Sequence, residues 1–292
     1  MFAFLCGVLW PAYGRTDTDP AERLQYGVYD PDERFADSNR LAVEHIFVHW
    51  QPHDVARIRG AHTRASSRNR WLMVTIEPWP AHGRAAETLF SDIVAGLYDP
   101  DIASVCSALG ALGQGVFIRW AQEMEDPTGR YPWATGNAEG FVATYRYFVD
   151  HCRPWSHGRF FFVWSPKGLR QMADYFPGPS YVDYVGVSLY ALERWDIAHF
   201  GKPRDFNAAF GEVYGFASQF KKPIMIAELG VQGSASYRDL WFSELARAKY
   251  SFPLLRIAVY FDAKEPWPWP DGFGNPDWRI DTSDWPIDPE KQ

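Results

Sequence analysis

The sequence predicts an α/β fold and, within that class, a closed (β/α)8 TIM barrel. Three observations carry the prediction: short apolar runs rich in β-branched and aromatic residues recur, helix-length segments separate them, and there are eight of them. Eight strands joined by such crossovers favour a closed barrel over an open doubly wound sheet. No linker or low-complexity tract divides the 292 residues, so 1–292 are expected to form one barrel domain. Within it, 1–22 would be an N-terminal arm or the remnant of a secretion signal, and 264–292 a C-terminal loop and tail.

The predicted strands are LQYGVYD (24–30), EHIFVHW (44–50), RWLMVTIEPW (70–79), GVFIRWAQE (115–123), RFFFVWSP (159–166), VDYVGVSLY (182–190), KPIMIAELG (222–230) and LRIAVYFDA (255–263). Helical patterns lie between them, among them 99–113, 137–152 and 234–249, the first two with Asp or Asn available as an N-cap. The glycines of GALGQG (110–115) precede a strand instead of following one, so they read as a helix end and not as a dinucleotide fingerprint. P-loop and GxSxG patterns are absent.

Apolar residues make up 47% and charged residues 22%, enough for a full core. The outlier is aromatic content, 17% with 14 Trp, much of it beside Pro, Gly and Asp in loop-like stretches. A net charge of −7 offers no basic footprint for nucleic acid or an anionic membrane, and no segment reaches the length of a membrane span. Cys6, Cys106 and Cys152 lack zinc spacing, and neither a metal nor a cofactor is expected. A Cys106–Cys152 disulfide is possible between neighbouring helices, with buried free thiols the favoured expectation. The apolar start MFAFLCGVLWPAYG lacks a basic n-region, and a secreted or periplasmic monomer is expected.

A barrel of this type carries its site at the C-terminal strand ends, which here end in Asp30, Glu77, Glu123, Glu228 and Asp262. Trp50, Trp79, Trp164 and Tyr190 stand near strand ends, with Trp133, Trp195, Trp267 and Trp269 in following loops. Acids walled by rings suit a neutral polyhydroxylated ligand, and paired carboxylates supply what glycosidic cleavage needs. Composition alone permits several pairs.

The motifs RWAQEM with YPW, VWSP (163–166), YFPGPSYVDYVGVSLY (175–190), KPIMIAELG and the final FDAKE with DWRIDTS resemble, in order and spacing, glycoside hydrolase family 26. The resemblance runs from about residue 26 to 283 and implies a retaining barrel with its acid/base at the end of strand 4 and its nucleophile at the end of strand 7. Carried over, Glu123 is the acid/base, Glu228 the nucleophile and Tyr190 the tyrosine that hydrogen-bonds it. Glu228 is then expected ionised and Glu123 protonated. Arg119 faces the same side as Glu123, either to hold Glu228 ionised or as an interior structural charge.

Two departures stand out. Gln122 occupies the place of a histidine, where related families use an asparagine that binds the 2-hydroxyl, and Arg130 replaces the first Trp of a WYPW-like segment. The substrate is left among β-mannan, β-glucan and a mixed exopolysaccharide, as polysaccharide or oligosaccharide, with endo action implied. Glu77, Trp79, Trp133, Trp164, Trp195 and Trp267 are candidate sugar contacts, and Asp262 either binds sugar or anchors the C-terminal loop. Glu125 and Asp126 are expected to be solvated loop charges, and His45 and His49 core or rim packing residues. The rival is a non-hydrolytic carbohydrate-binding barrel serving exopolysaccharide assembly, disfavoured by the presence of both glutamates.

Overall fold

The computed structural model describes residues 23–285, so the expectations for 1–22 and for the last residues of the tail lie outside the described residues. Eight parallel strands close in sequence order: β1 (Gln25–Tyr29), β2 (Val43–His49), β3 (Trp71–Glu77), β4 (Val116–Trp120), β5 (Phe160–Trp164), β6 (Tyr184–Leu192), β7 (Ile224–Gln232) and β8 (Leu255–Phe261). Closure is made by β8 against β1, from Gln25 opposite Ile257 to Tyr29 opposite Phe261. All eight runs seen in the sequence are strands of this barrel. Seven α-helices lie among the described residues: α1 (Pro52–Ser67), α2 (Leu89–Val94), α3 (Asp99–Gly110), α4 (Ala138–Ser156), α5 (Glu193–Phe200), α6 (Phe206–Ala217) and α7 (Ala235–Ser251).

Strand alternation sorts each residue to the lumen or to the helical shell. Val43, Met73, Phe117, Val163, Met225 and Ile257 fill the lower lumen. Their sequence neighbours Leu72, Ile118, Trp164 and Ile226 join the outer core. Above the apolar layer the lumen turns polar, with His45, Thr75, Arg119, Ser165 and Ser188 buried. This parity corrects one site expectation: Trp164 follows inward Val163, so it points outward, fully buried, and packs edge-on against Phe176 and Phe220 at 5.2 and 5.0 Å.

Asn137 caps α4, accepting from Gly140 N at 2.9 Å, as its position predicts. Asp99 does not cap α3. It lies inside the first turn and accepts the Tyr147 hydroxyl at 2.7 Å. The free thiols favoured from sequence are instead joined: Cys106 on α3 and Cys152 on α4 form a disulfide with Cα atoms 5.2 Å apart. The close approach of the two helices permits it, because a Cβ on Gly110 would fall 2.5 Å from the carbonyl oxygen of Trp155. After β8 the chain folds back over the barrel mouth, bridging Lys264 with Asp277 and Trp269 with Gly274 and burying Trp278, Ile280 and Trp285. No described helix is long and apolar enough to cross a membrane.

Candidate active site

A break in register delivers Glu228. Val187 on β6 lies opposite Ile226, but Ser188 lies opposite Glu228, so Ala227 is an extra residue in β7. Simple alternation from Met225 and Ala227 would turn Leu229 inward and Glu228 outward. The bulge flips the phase, as bulges at barrel rims do, leaving Leu229 in the outer core and Glu228 in the lumen. Gly230 then takes a position where a Cβ would meet Tyr190 Cδ1 at 2.6 Å and Trp278 at 2.8 Å. Only glycine lets those rings close over the strand end.

Two donors hold the Glu228 carboxylate. Arg119 Nη1 reaches Oε1 at 2.5 Å and the Tyr190 hydroxyl reaches Oε2 at 2.5 Å. Arg119, wholly buried, is fixed by Ser165 Oγ at 2.8 Å, Ser188 Oγ at 3.3 Å and Thr75 Oγ1 at 3.4 Å. Burial, with the Glu228 charge next, drives the Tyr190 hydroxyl well above its ordinary range, so it stays a donor. His45 accepts or donates at Nε2 with Thr75 Oγ1 at 2.7 Å, and burial beside Arg119 keeps it neutral.

Glu123 follows β4 in a turn with two left-handed residues, φ 50° at Ala121 and 55° at Glu123. Its amide donates to Ser165 O at 2.8 Å, fixing the carboxyl at the junction of β4 and β5. Burial, then the Glu228 charge, raises its pKa, against the weaker pull of Lys167. One carboxyl is thus clamped by two donors while the other is desolvated near its charge.

The next acids correct the expectation of solvated loop charges. Glu125 and Asp126 are 4% and 2% exposed. Glu125 accepts the amides of Lys167, Gly168 and Leu169 at 2.9–3.2 Å, and Asp126 pairs with Lys167 Nζ at 3.0 Å. Together they fasten the loop after β5 to the loop after β4. Nothing in the sequence pattern marks them for this role, because their partners lie forty residues on and are mostly backbone.

Several candidate sugar contacts have other duties. Arg119 touches the nucleophile candidate from below, not the cleft. Gln122 is buried, donating Nε2 to Glu77 Oε1 at 2.7 Å, and its own Oε1 has no partner. Glu77 also accepts Trp79 Nε1 at 3.1 Å. Trp133 is fully buried, donates to Gln122 O at 2.6 Å and stacks on Tyr131, so it backs the wall instead of forming its face. Asp262 is wholly buried, bound by Arg34 at 2.6 Å and by the Ile280 amide at 3.1 Å, which anchors the C-terminal segment and leaves no oxygen free for a sugar. His49 lies at the rim, its ring 3.6 Å from Glu77. Among the described residues no cluster of His, Cys, Asp and Glu could hold a metal ion.

Trp195 and Trp267 do line a cleft, of about 700 Å³, together with Glu123, Ser188, Tyr190 and Trp269. Trp267 is 51% exposed. Glu228 is not itself part of this wall and is joined to it through the Tyr190 hydroxyl. The walls come from β6, from the loops after β4, β5 and β8, from α5 and the loop after it, and from α6.

Residues 98–251 match the sequence profile of Glycosyl hydrolase family 26. The chain belongs to that family. Its relatives and structural neighbours are distant. Endoglucanase H of Acetivibrio thermocellus is 25% identical over 260 residues, covering 84% of this chain and 26% of that protein. Beta-1,3-xylanase of an Alcaligenes species is 26% identical over 148 residues, covering 48% of this chain and 28% of that protein. The aligned parts are thus about a quarter of each relative's length. Among solved structures, a family 26 β-mannanase of Bacteroides ovatus superposes with a TM-score of 0.61 at 14% identity, covering 82% of this chain and 80% of that one. A family 26 protein of a Muricauda species gives 0.64 at 13% identity, covering 83% and 79%.

Proposed function

We propose that the chain hydrolyses a β-linked polysaccharide by retaining double displacement. The observation that carries this is the pair of buried carboxyls just after β4 and within β7, held in opposite ways: Glu228 by two donors, Glu123 by burial beside a negative charge. Glu228 attacks the anomeric carbon while Glu123 gives its proton to the departing glycosidic oxygen. The glycosyl ester so formed on Glu228 is then opened by a water whose proton passes to Glu123, which restores both groups. Arg119 and Tyr190 keep the attacking oxygen aimed through both steps, and Trp195, Trp267 and Trp269 offer faces on which pyranose C–H surfaces stack.

The names endoglucanase, beta-1,3-xylanase and β-mannanase carried by the similar proteins support a polysaccharide substrate with a β-linked main chain, and the candidates are β-mannan, β-glucan and a mixed exopolysaccharide. The disulfide supports a secreted or periplasmic location. The deciding experiment is hydrolysis of a panel of mannan, mixed-linkage glucan, xylan and bacterial exopolysaccharides by the native chain and by Glu228→Gln. The native chain should release reducing ends from at least one of them, and the variant, in the fraction that folds, should still bind but be slower by several orders of magnitude. Binding without new reducing ends on every polymer rejects the hydrolase in favour of a carbohydrate-binding barrel.

A further inference from the structure

In a ring of eight strands, β4 and β8 stand opposite one another, yet the loops that follow them are tied together. Arg130, after β4, donates Nη2 to Glu265 Oε1, after β8, at 2.8 Å. A bond between loops on opposite rims has to cross the mouth of the barrel. It crosses close to the chemistry: although burial opposes the Arg130 charge, Tyr131, Glu265, Glu123 and Glu228 together raise its pKa.

The crossing is anchored at both ends. Glu265 is 3% exposed, its Oε2 accepts Trp278 Nε1 at 3.3 Å, its amide donates to Pro276 O at 2.8 Å and its carbonyl accepts Asn275 Nδ2 at 3.0 Å. The Arg130 guanidinium lies over the Tyr131 ring at 5.2 Å. Both Arg130 and Glu265 belong to the cleft wall, while no lining residue comes from β1, β2, β3 or the loops after them. His49, Glu77 and Trp79, at the ends of β2 and β3, are not among the residues that line it. Arg130 Nε is buried without a partner.

Resting on the hydrolase proposal, we infer that the Arg130–Glu265 bridge closes the cleft on its β1–β3 side, so that the site takes the end of a β-glycan chain instead of its middle. An internal cut needs a groove open at both ends, because the polymer continues on either side of the scissile bond. A bridge over the mouth stops the chain there. This departs from the endo action that the family resemblance implies, and it gives Arg130, the residue standing where a Trp is usual, a definite consequence.

The test follows viscosity and reducing ends together during digestion of whichever panel polymer the native chain cleaves, with Arg130→Ala, Arg130→Lys and the near-isosteric Glu265→Gln beside it. The native chain should release reducing ends with little loss of viscosity. Arg130→Ala and Glu265→Gln should give a several-fold larger viscosity loss at equal reducing ends, with Arg130→Lys between. A native chain that collapses viscosity at the outset overturns the inference, as do variants with native circular dichroism that keep the native ratio. The native ratio decides even where a variant does not fold. If no polymer yields reducing ends, the hydrolase proposal fails and this inference with it, a result distinct from endo cleavage.

Discussion

The guanidinium of Arg119 sits 2.5 Å from Oε1 of Glu228, both buried in the barrel lumen. Removing one partner of such a pair leaves the other charge desolvated without compensation. Arg119→Met should therefore cost about 3–5 kcal/mol of stability and lower kcat more than it changes KM. Chemical denaturation and steady-state kinetics check both parts, and a variant with native stability would contradict the pairing.

Glu123 should set the alkaline limb of activity. Burial, then the charge of Glu228, raises its folded pKa, so the folded chain binds this proton more tightly than the unfolded chain does. The associated stability is complete below the unfolded carboxyl pKa and is lost as pH rises through the folded value. Glu123→Gln, permanently uncharged, should lower turnover by about 10²–10⁴, yet raise stability at neutral pH and flatten its decline. Urea denaturation between about pH 4 and pH 8 compares the two. A variant less stable than the native chain at neutral pH contradicts the prediction.

Glu125 acts on the site at a distance. Its carboxylate accepts three amides of the loop that presents Lys167. Glu125→Ala should leave those donors unpaired at a cost of about 1–3 kcal/mol, with faster hydrogen exchange at 167–169 than in the native chain. Unchanged exchange would remove the fastening role.

Trp164 and Trp267 should separate cleanly. Trp164, packed between Phe176 and Phe220, supports the barrel from outside, so Trp164→Ala should cost about 3–5 kcal/mol without raising KM in the fraction that folds. Trp267 stands half-exposed in the cleft. Trp267→Ala should leave stability within about 0.5 kcal/mol and weaken substrate binding by roughly 2- to 10-fold, the worth of one ring face. The reverse pattern would show that the two assignments are interchanged.

What could be read without coordinates follows the physics of each level. Strand existence was legible at all eight positions because parallel strands buried on both faces leave unbroken apolar runs such as Phe160–Trp164. Lumen against shell was half legible: counting alternately from Val163 puts Trp164 outside, but proximity to the strand end pointed to the cleft. The inward turn of Glu228 was illegible by alternation, since a bulge at Ala227 reverses the count, and family motifs alone indicated it. Glu125 and Asp126 looked like solvated loop charges because their partners are backbone amides and a lysine of a distant loop. The disulfide depended on how closely two helices approach, which spacing in sequence does not encode.

The central claim is that Glu123 and Glu228 work as a retaining pair, which requires their carboxyls to stand about 5–5.5 Å apart. Proton NMR of the anomeric region in the first minutes of hydrolysis tests it most directly. The account predicts that the β-anomer of the new reducing end appears first and the α-anomer only as mutarotation proceeds. First appearance of the α-anomer would mean single displacement with inversion, and would contradict the assignment of Glu228 as nucleophile.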